Sequence, residues 1–296
     1  MRKLLCAALL SAACGGLEGE FEAEEAAAVA HPPRHLYTLE HAPVPGPYPT
    51  ALVHLARGFR ASGPLNLVVH FHGWNNCIAN DAEATSSRCR PNGPVRTAHN
   101  LIGQIDASGA NAVLVAVERT FDQANSADGR LAEPGFFRGL VLELLPHIGA
   151  LAGRGYAEAD LGKIVLSSHS GGYVAVGDIL AKGGLPIAGV ILLDSLYGSI
   201  GQHEAWVRGD LGRRRLAVVY TSGGGTLSNS QAFATRAAGW LRAAGLPSSL
   251  LFDERYSRNY PPSTMDAPLY FYKSSLSHSG CALYWFWRLL GHQGLE

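Results

Sequence analysis

Four places in the sequence hold residue types that do chemistry. Residues 163–173 carry an apolar stretch into Ser168-His169-Ser170-Gly171-Gly172 and pass at once into a helical pattern. A serine hydroxyl displayed on such a turn becomes a nucleophile when a base takes its proton. Residues 68–74 set His70 and His72 two apart, followed by Gly73 and Trp74. Alternate residues of a strand share a face, so these imidazoles could bind one metal ion. Residues 73–76 add neither a carboxylate nor a further His, so the ligand set stays incomplete and no metal is expected. Near the C-terminus, His278 lies among serines between an apolar run and a closing helical pattern. Asp194 ends the apolar run 190–193, where a carboxylate is costly unless solvated or hydrogen-bonded. A turn or helix N-cap is the other use of an Asp at such a place.

The 163–173 stretch resembles the nucleophile elbow of the α/β-hydrolase superfamily, with Ser168 in place of the usual first Gly. Small residues at Ser168 and Gly172 suit such an elbow because the turn at the nucleophile is sharp and the returning helix passes close. The resemblance implies that Ser170 is the nucleophile. It also gives the His72-Gly73-Trp74 turn a role: the backbone N–H groups of Trp74 and Gly171 would form the oxyanion hole. The superfamily order is Ser, acid, His. His278 then serves as base, ahead of His292, which lies beyond the last helix, and His203, which comes too early. Most members hold the acid after the next strand, but here Thr221-Ser222-Gly223-Gly224-Gly225-Thr226 contains no carboxylate. Asp194 matches lipases that hold the acid one strand earlier, with Asp253 and Glu254 as alternatives. The chemistry implied is acyl transfer through an acyl-enzyme, with no metal and no organic cofactor. A carboxylic ester is the default among small-molecule or polymeric acyl substrates; amide or thioester cleavage would use the same machinery. The competing class is a non-catalytic cell-surface binding protein that keeps the fold.

Elements must bring these distant residues together. Strands are expected at 36–39, 52–57, 65–71, 112–117, 163–167, 188–193, 216–221, 249–253 and 269–272. Helices are expected at 100–107, 137–152, 172–181, 204–211, 231–243 and 282–290. Apolar strands alternating with helices predict a mostly parallel central sheet with helices on both faces, an α/β fold. Ligands of such sheets sit beyond the carboxyl ends of the strands. The polar segment 75–99 is long enough to be a flap over the site, and Gly223-Gly224-Gly225 reads as a flexible loop near it. No Gly-Lys-Ser/Thr follows that loop, so a phosphate-binding role is not expected. Tyr284, Trp285, Phe286 and Trp287 are expected to pack on the sheet rather than to anchor the chain in lipid.

The chain has 296 residues, 24 Lys+Arg against 24 Asp+Glu, 47% hydrophobic residues and 16% charged ones. That composition excludes disorder for most of the length, and the even charge leaves no basic footprint for nucleic acid. Arg2 and Lys3 precede a ten-residue run of apolar and small residues, too short to span a bilayer, that closes on Ala12-Ala13-Cys14. This start resembles a bacterial lipoprotein signal, although Ser11 stands where that pattern prefers Leu. Residues 1–14 are thus expected to be an export signal with Cys14 as lipidation site. Plain secretion is the alternative, and a membrane is engaged only through that lipid. Residues 15–30, with five Glu among Gly and Ala, are expected to be an acidic tether. The catalytic domain spans 31–296 and carries +3 once Arg2, Lys3 and those five Glu are set aside. In an oxidising cell envelope Cys77 and Cys89 could pair, which leaves Cys281 unpaired.

Overall fold

Runs that are apolar throughout, such as 65–71 and 113–117, need cover on both faces, and they lie in the middle of a sheet. The computed structural model describes residues 35–223, 225–256 and 266–295. The expected signal, Cys14 and the tether lie outside these residues. The strands are β1 (His35–Tyr37), β2 (Ala51–Leu55), β3 (Leu65–Phe71), β4 (Ser87–Arg88), β5 (Val95–Arg96) and β6 (Val113–Val117). They continue with β7 (Leu161–His169), β8 (Gly189–Leu193), β9 (Arg215–Tyr220), β10 (Leu251–Asp253) and β11 (Leu269–Lys273). Among the described residues nine strands form one sheet in the order β1-β2-β6-β3-β7-β8-β9-β11-β10. The β1–β2 and β2–β6 pairs are antiparallel, and every other pair is parallel. Strands β4 and β5 form a separate small hairpin.

The helices are α1 (Ile78–Asp81), α2 (Leu101–Ser108), α3 (Phe136–Ala152), α4 (Tyr173–Lys182), α5 (Ile200–Gly209), α6 (Leu227–Ala243) and α7 (His278–His292). Alternate strand residues divide between two cores. Leu67, Val69, Val115 and Leu166 pack with apolar residues of α3, α4, α5 and α6. Val68, Leu114, Val165 and Ile191 pack with those of α2 and α7. Helices therefore cover both faces, as the apolar strands require. In α7, Trp285 and Phe286 are buried against the sheet while Tyr284 is exposed. Removing the Phe286 ring would cost about 3–5 kcal/mol. No helix among the described residues is long and apolar enough to cross a membrane.

The register sets up the site. Phe71 pairs with Ser168 and Ser168 with Leu192, so β3, β7 and β8 finish at the same level of the sheet. The residues that follow those ends are His72-Gly73, Ser170 and Asp194. Three helices start earlier than the periodicity predicts: α5 at Ile200, α6 at Leu227 and α7 at His278. Polar first turns hid them, and Ser277, whose side chain accepts from the Gly280 amide at 3.1 Å, caps the last.

Candidate active site

Strand β7 enters a tight turn at residues 170–172 and leaves as α4. Ser170 holds φ 52°, a left-handed backbone that a non-glycine residue adopts at a cost. Close packing explains the small residues around it. A Cβ on Gly172 would stand 2.5 Å from the Phe71 carbonyl oxygen, and one on Gly73 would stand 2.8 Å from Ser170 Cβ. Ser168, where a glycine is usual, is fully buried, and its hydroxyl is satisfied by Ser195 Oγ at 2.8 Å. Ser195 Oγ in turn donates to the Ser170 carbonyl at 2.7 Å, which braces the elbow from β8's side.

Asp194 follows β8 with φ 45° and is fully buried. Its carboxylate accepts from the Thr221 amide at 3.0 Å, from Thr221 Oγ1 at 2.8 Å, and from Thr226 Oγ1. The fourth donor is His278 Nδ1, at 2.6 Å from Oδ2. Burial alone would raise this carboxyl's pKa. The bonds from His278, Thr226 and Thr221 outweigh burial and hold it at about 2. The Thr221–Thr226 segment thus supplies hydroxyls to a carboxylate carried one strand earlier. Neither threonine carries a sequence signal for this role, since the segment holds no carboxylate of its own.

His278 opens α7, so the helix itself fixes its backbone. Its carbonyl lies 3.2 Å from His169 Nε2, and its ring lies 4.6 Å from that of His169 and 6.2 Å from that of Tyr197. Ser170 and His278 line one cleft of about 370 Å³, together with Trp74, Asn75, Arg96, Thr97 and His99. No hydrogen bond joins Ser170 Oγ to His278 in this structure. Trp74 turns away from β3 beside the elbow, half exposed, with its indole N–H donating to Ser126 Oγ at 2.6 Å. The same indole lies so close over Gly171 that a Cβ there would be 2.4 Å from Trp74 Cδ1. Ser170, Trp74 and Gly171 are therefore immediate neighbours.

The alternative residues lie elsewhere. His203 is buried on α5 against the Ser199 carbonyl, and His292 meets the Ala267 carbonyl; burial lowers the pKa of each to about 4. Asp253 is paired with Arg255 at 2.6 Å, and Glu254 accepts from the Tyr220 hydroxyl. His70 and His72 do not converge on one point. His70 lies 3.1 Å from Asp81, whereas His72 Nε2 meets Glu118 at 2.7 Å.

The segment after Trp74 is pinned as a flap. Cys77 and Cys89 form a disulfide, and Arg90 and Arg96 both hold Asp122 at 2.6 Å. Val95, Arg96, Thr97 and His99 form one wall of the cleft. Cys281 is a buried free thiol. Asp81, His99 and His169 are buried, the two histidines at the lining of the cleft, and sequence reasoning gave none of the three a role. Asp81 and His99 lie far from the elbow in the chain, which left no spacing signal to join them to His169.

No family model matches the chain, and no curated protein matches it. Solved structures do. A serine-to-alanine mutant of the feruloyl esterase module from Clostridium thermocellum, complexed with sinapinate, aligns with a TM-score of 0.51 at 13% identity, over 88% of this chain and 96% of that one. S-formylglutathione hydrolase from Staphylococcus aureus aligns with a TM-score of 0.51 at 11% identity, over 88% and 94%. At such identities the likeness speaks for the fold.

Proposed function

On this α/β-hydrolase fold, we propose that the chain is a serine hydrolase that cleaves a carboxylic ester through Ser170, His278 and Asp194. The observation that carries the proposal is the 2.6 Å contact of a buried, ionised Asp194 with His278, on a cleft shared with a serine in a left-handed elbow. The names of the two aligned structures, a feruloyl esterase module and an S-formylglutathione hydrolase, are in keeping with hydrolysis.

The steps proposed are those of acyl transfer. Asp194 accepts a hydrogen bond from His278 Nδ1–H, which fixes that tautomer and leaves Nε2 as the base. His278 takes the Ser170 proton as Oγ attacks the ester carbonyl. The Trp74 and Gly171 amides stabilise the oxyanion. His278 then gives its proton to the leaving alcohol, and water, activated by the same ring, releases the acid. The missing Ser170–His278 hydrogen bond is compatible with this sequence, since such bonds often tighten only with substrate in place.

The chain is exported in this proposal and is tethered through Cys14 or secreted. The Cys77–Cys89 disulfide supports an oxidising compartment. The test of the reaction is a pre-steady-state assay with p-nitrophenyl butanoate, followed by intact mass. A burst of nitrophenol with a butanoyl adduct on Ser170 is expected. Steady hydrolysis that survives Ser170→Ala, or none at all, would overturn the proposal.

A further inference from the structure

Ser170 and Trp74 lie on the common wall of two cavities with different chemistry. The larger, about 370 Å³, is the cleft that holds His278, His169, His99, Asn75 and Thr97. The smaller, about 250 Å³, is enclosed by Trp74, Tyr173 and Tyr197 with Gly171 and Ser126. An ester bound at Ser170 must put one half in each, and proton transfer decides which half goes where. The leaving oxygen has to receive its proton from His278, and His278 opens on the larger cavity alone. The alcohol half therefore lies there, and the acyl half lies between the aromatic rings.

The linings then define the substrate. His99 is held through Nδ1, 2.5 Å from Asp81, while its Nε2 is buried with no partner. His169 Nδ1 is likewise buried and unpartnered. Burial holds the His169 pKa well below the usual histidine range, with the neighbouring His99 and His278 adding to the effect. That ring stays neutral, with Nδ1 as an acceptor. Around these two rings the cleft is lined by Asn75, Asn76, Arg96, Thr97 and Ser279, whose amide, guanidinium and hydroxyl groups can hydrogen-bond the hydroxyls of a ligand. The smaller cavity offers aromatic faces and room for one ring or a chain of a few carbons. Resting on the serine-hydrolase proposal, we infer that the substrate is an ester of a compact apolar acyl group with a polyhydroxylated alcohol. Tyr197 limits the acyl group, and His99 selects the alcohol. In the step concerned, the Ser170 Oγ–acyl bond forms, the acyl–alcohol bond breaks, and the proton from Ser170 leaves on the alcohol by way of His278.

The test uses the full chain and three esters: glyceryl butanoate, propyl butanoate and glyceryl decanoate. The first pair shares its acyl group and differs only in the alcohol's hydroxyls. Labelling of Ser170 by a fluorophosphonate is measured alongside. We expect kcat/KM to favour glyceryl over propyl butanoate, and butanoate over decanoate, each by about tenfold or more. Tyr197→Ala should shrink the acyl ratio and leave the alcohol ratio in place. His99→Asn, whose amide can still donate toward Asp81 but falls short of the Nε2 position, should do the reverse. If His99→Asn does not fold, the two parent ratios and Tyr197→Ala decide. Labelled enzyme with ratios near one, or with each variant moving the other's ratio, would overturn the substrate assignment alone. Absence of labelling and of hydrolysis would overturn the hydrolase proposal and the assignment with it.

Discussion

Asp194 Oδ2 and His278 Nδ1 lie 2.6 Å apart although 84 residues separate them in the chain. Three further donors from Thr221 and Thr226 fix the carboxylate, so the pair is oriented before any ligand arrives. Asp194→Asn keeps the shape but presents an amide that can force the wrong imidazole tautomer. It should lower kcat by roughly 10³–10⁴-fold with the fold intact. Steady-state kinetics with a circular dichroism check measures this, and a loss below tenfold would remove Asp194 from the triad.

The same carboxylate makes stability depend on pH. Its folded pKa of about 2 lies below the ordinary Asp value, so the unfolded chain binds the proton more readily. The contribution is complete above about pH 4 and disappears as pH falls toward 2. It amounts to about 2–3 kcal/mol. Urea unfolding of the parent and Asp194→Asn at pH 5 and pH 2 should show the gap between them close by that amount. A gap that stays constant would contradict it.

A second carboxyl acts with the opposite sign. Asp128 is raised to about 7, first by burial and then by the hydrogen bond and charge of Asp178. Folding keeps this proton where the unfolded chain releases it, so stability falls as pH rises from about 4 through 7. Asp178→Asn removes the like charge, and its amide oxygen can still accept from the protonated Asp128. Its Tm should exceed the parent's at pH 8, by about 2–4 °C for each kcal/mol gained, and match it at pH 5. Equal Tm values at both pH values would rule out the coupling.

Much of this arrangement was legible in the sequence, and the reasons are local. Strand β3 was predicted at its observed bounds because an apolar run ended by Gly73 leaves no other choice. The elbow was legible because Ser170 needs small neighbours on both sides. His278 and Asp194 were singled out by the superfamily's Ser, acid, His order, and they lie 2.6 Å apart. What escaped was whatever depends on side chains meeting across the sheet ends. The hydroxyls of Thr221 and Thr226, the Asp81–His99 pair and the His169 contact have no periodicity. The starts of α5, α6 and α7 escaped because polar first turns carry no apolar stripe.

The Cys77–Cys89 bond closes a short loop, with a sequence separation of 12, that carries the flap. In the chain-entropy account it contributes about 3 kcal/mol. Replacing both cysteines by serine should lower unfolding stability by about 2–3 kcal/mol. It should also raise KM more than it lowers kcat, because Val95, Arg96 and Thr97 form the cleft wall whereas the Asp194–His278 pair is held by Thr221, Thr226 and α7. Denaturant titration and kinetics on the double variant check both parts; an unchanged KM would detach the flap from binding.

The central claim is that Ser170 is activated by His278. Treating the full chain with a fluorophosphonate probe, beside Ser170→Ala and His278→Ala, tests it most directly. Stoichiometric phosphonylation of Ser170 in the parent, abolished by the first substitution and slowed by several orders of magnitude by the second, is the predicted result. Folded parent protein that stays unlabelled, or labelling that His278→Ala leaves at the parent rate, would contradict it.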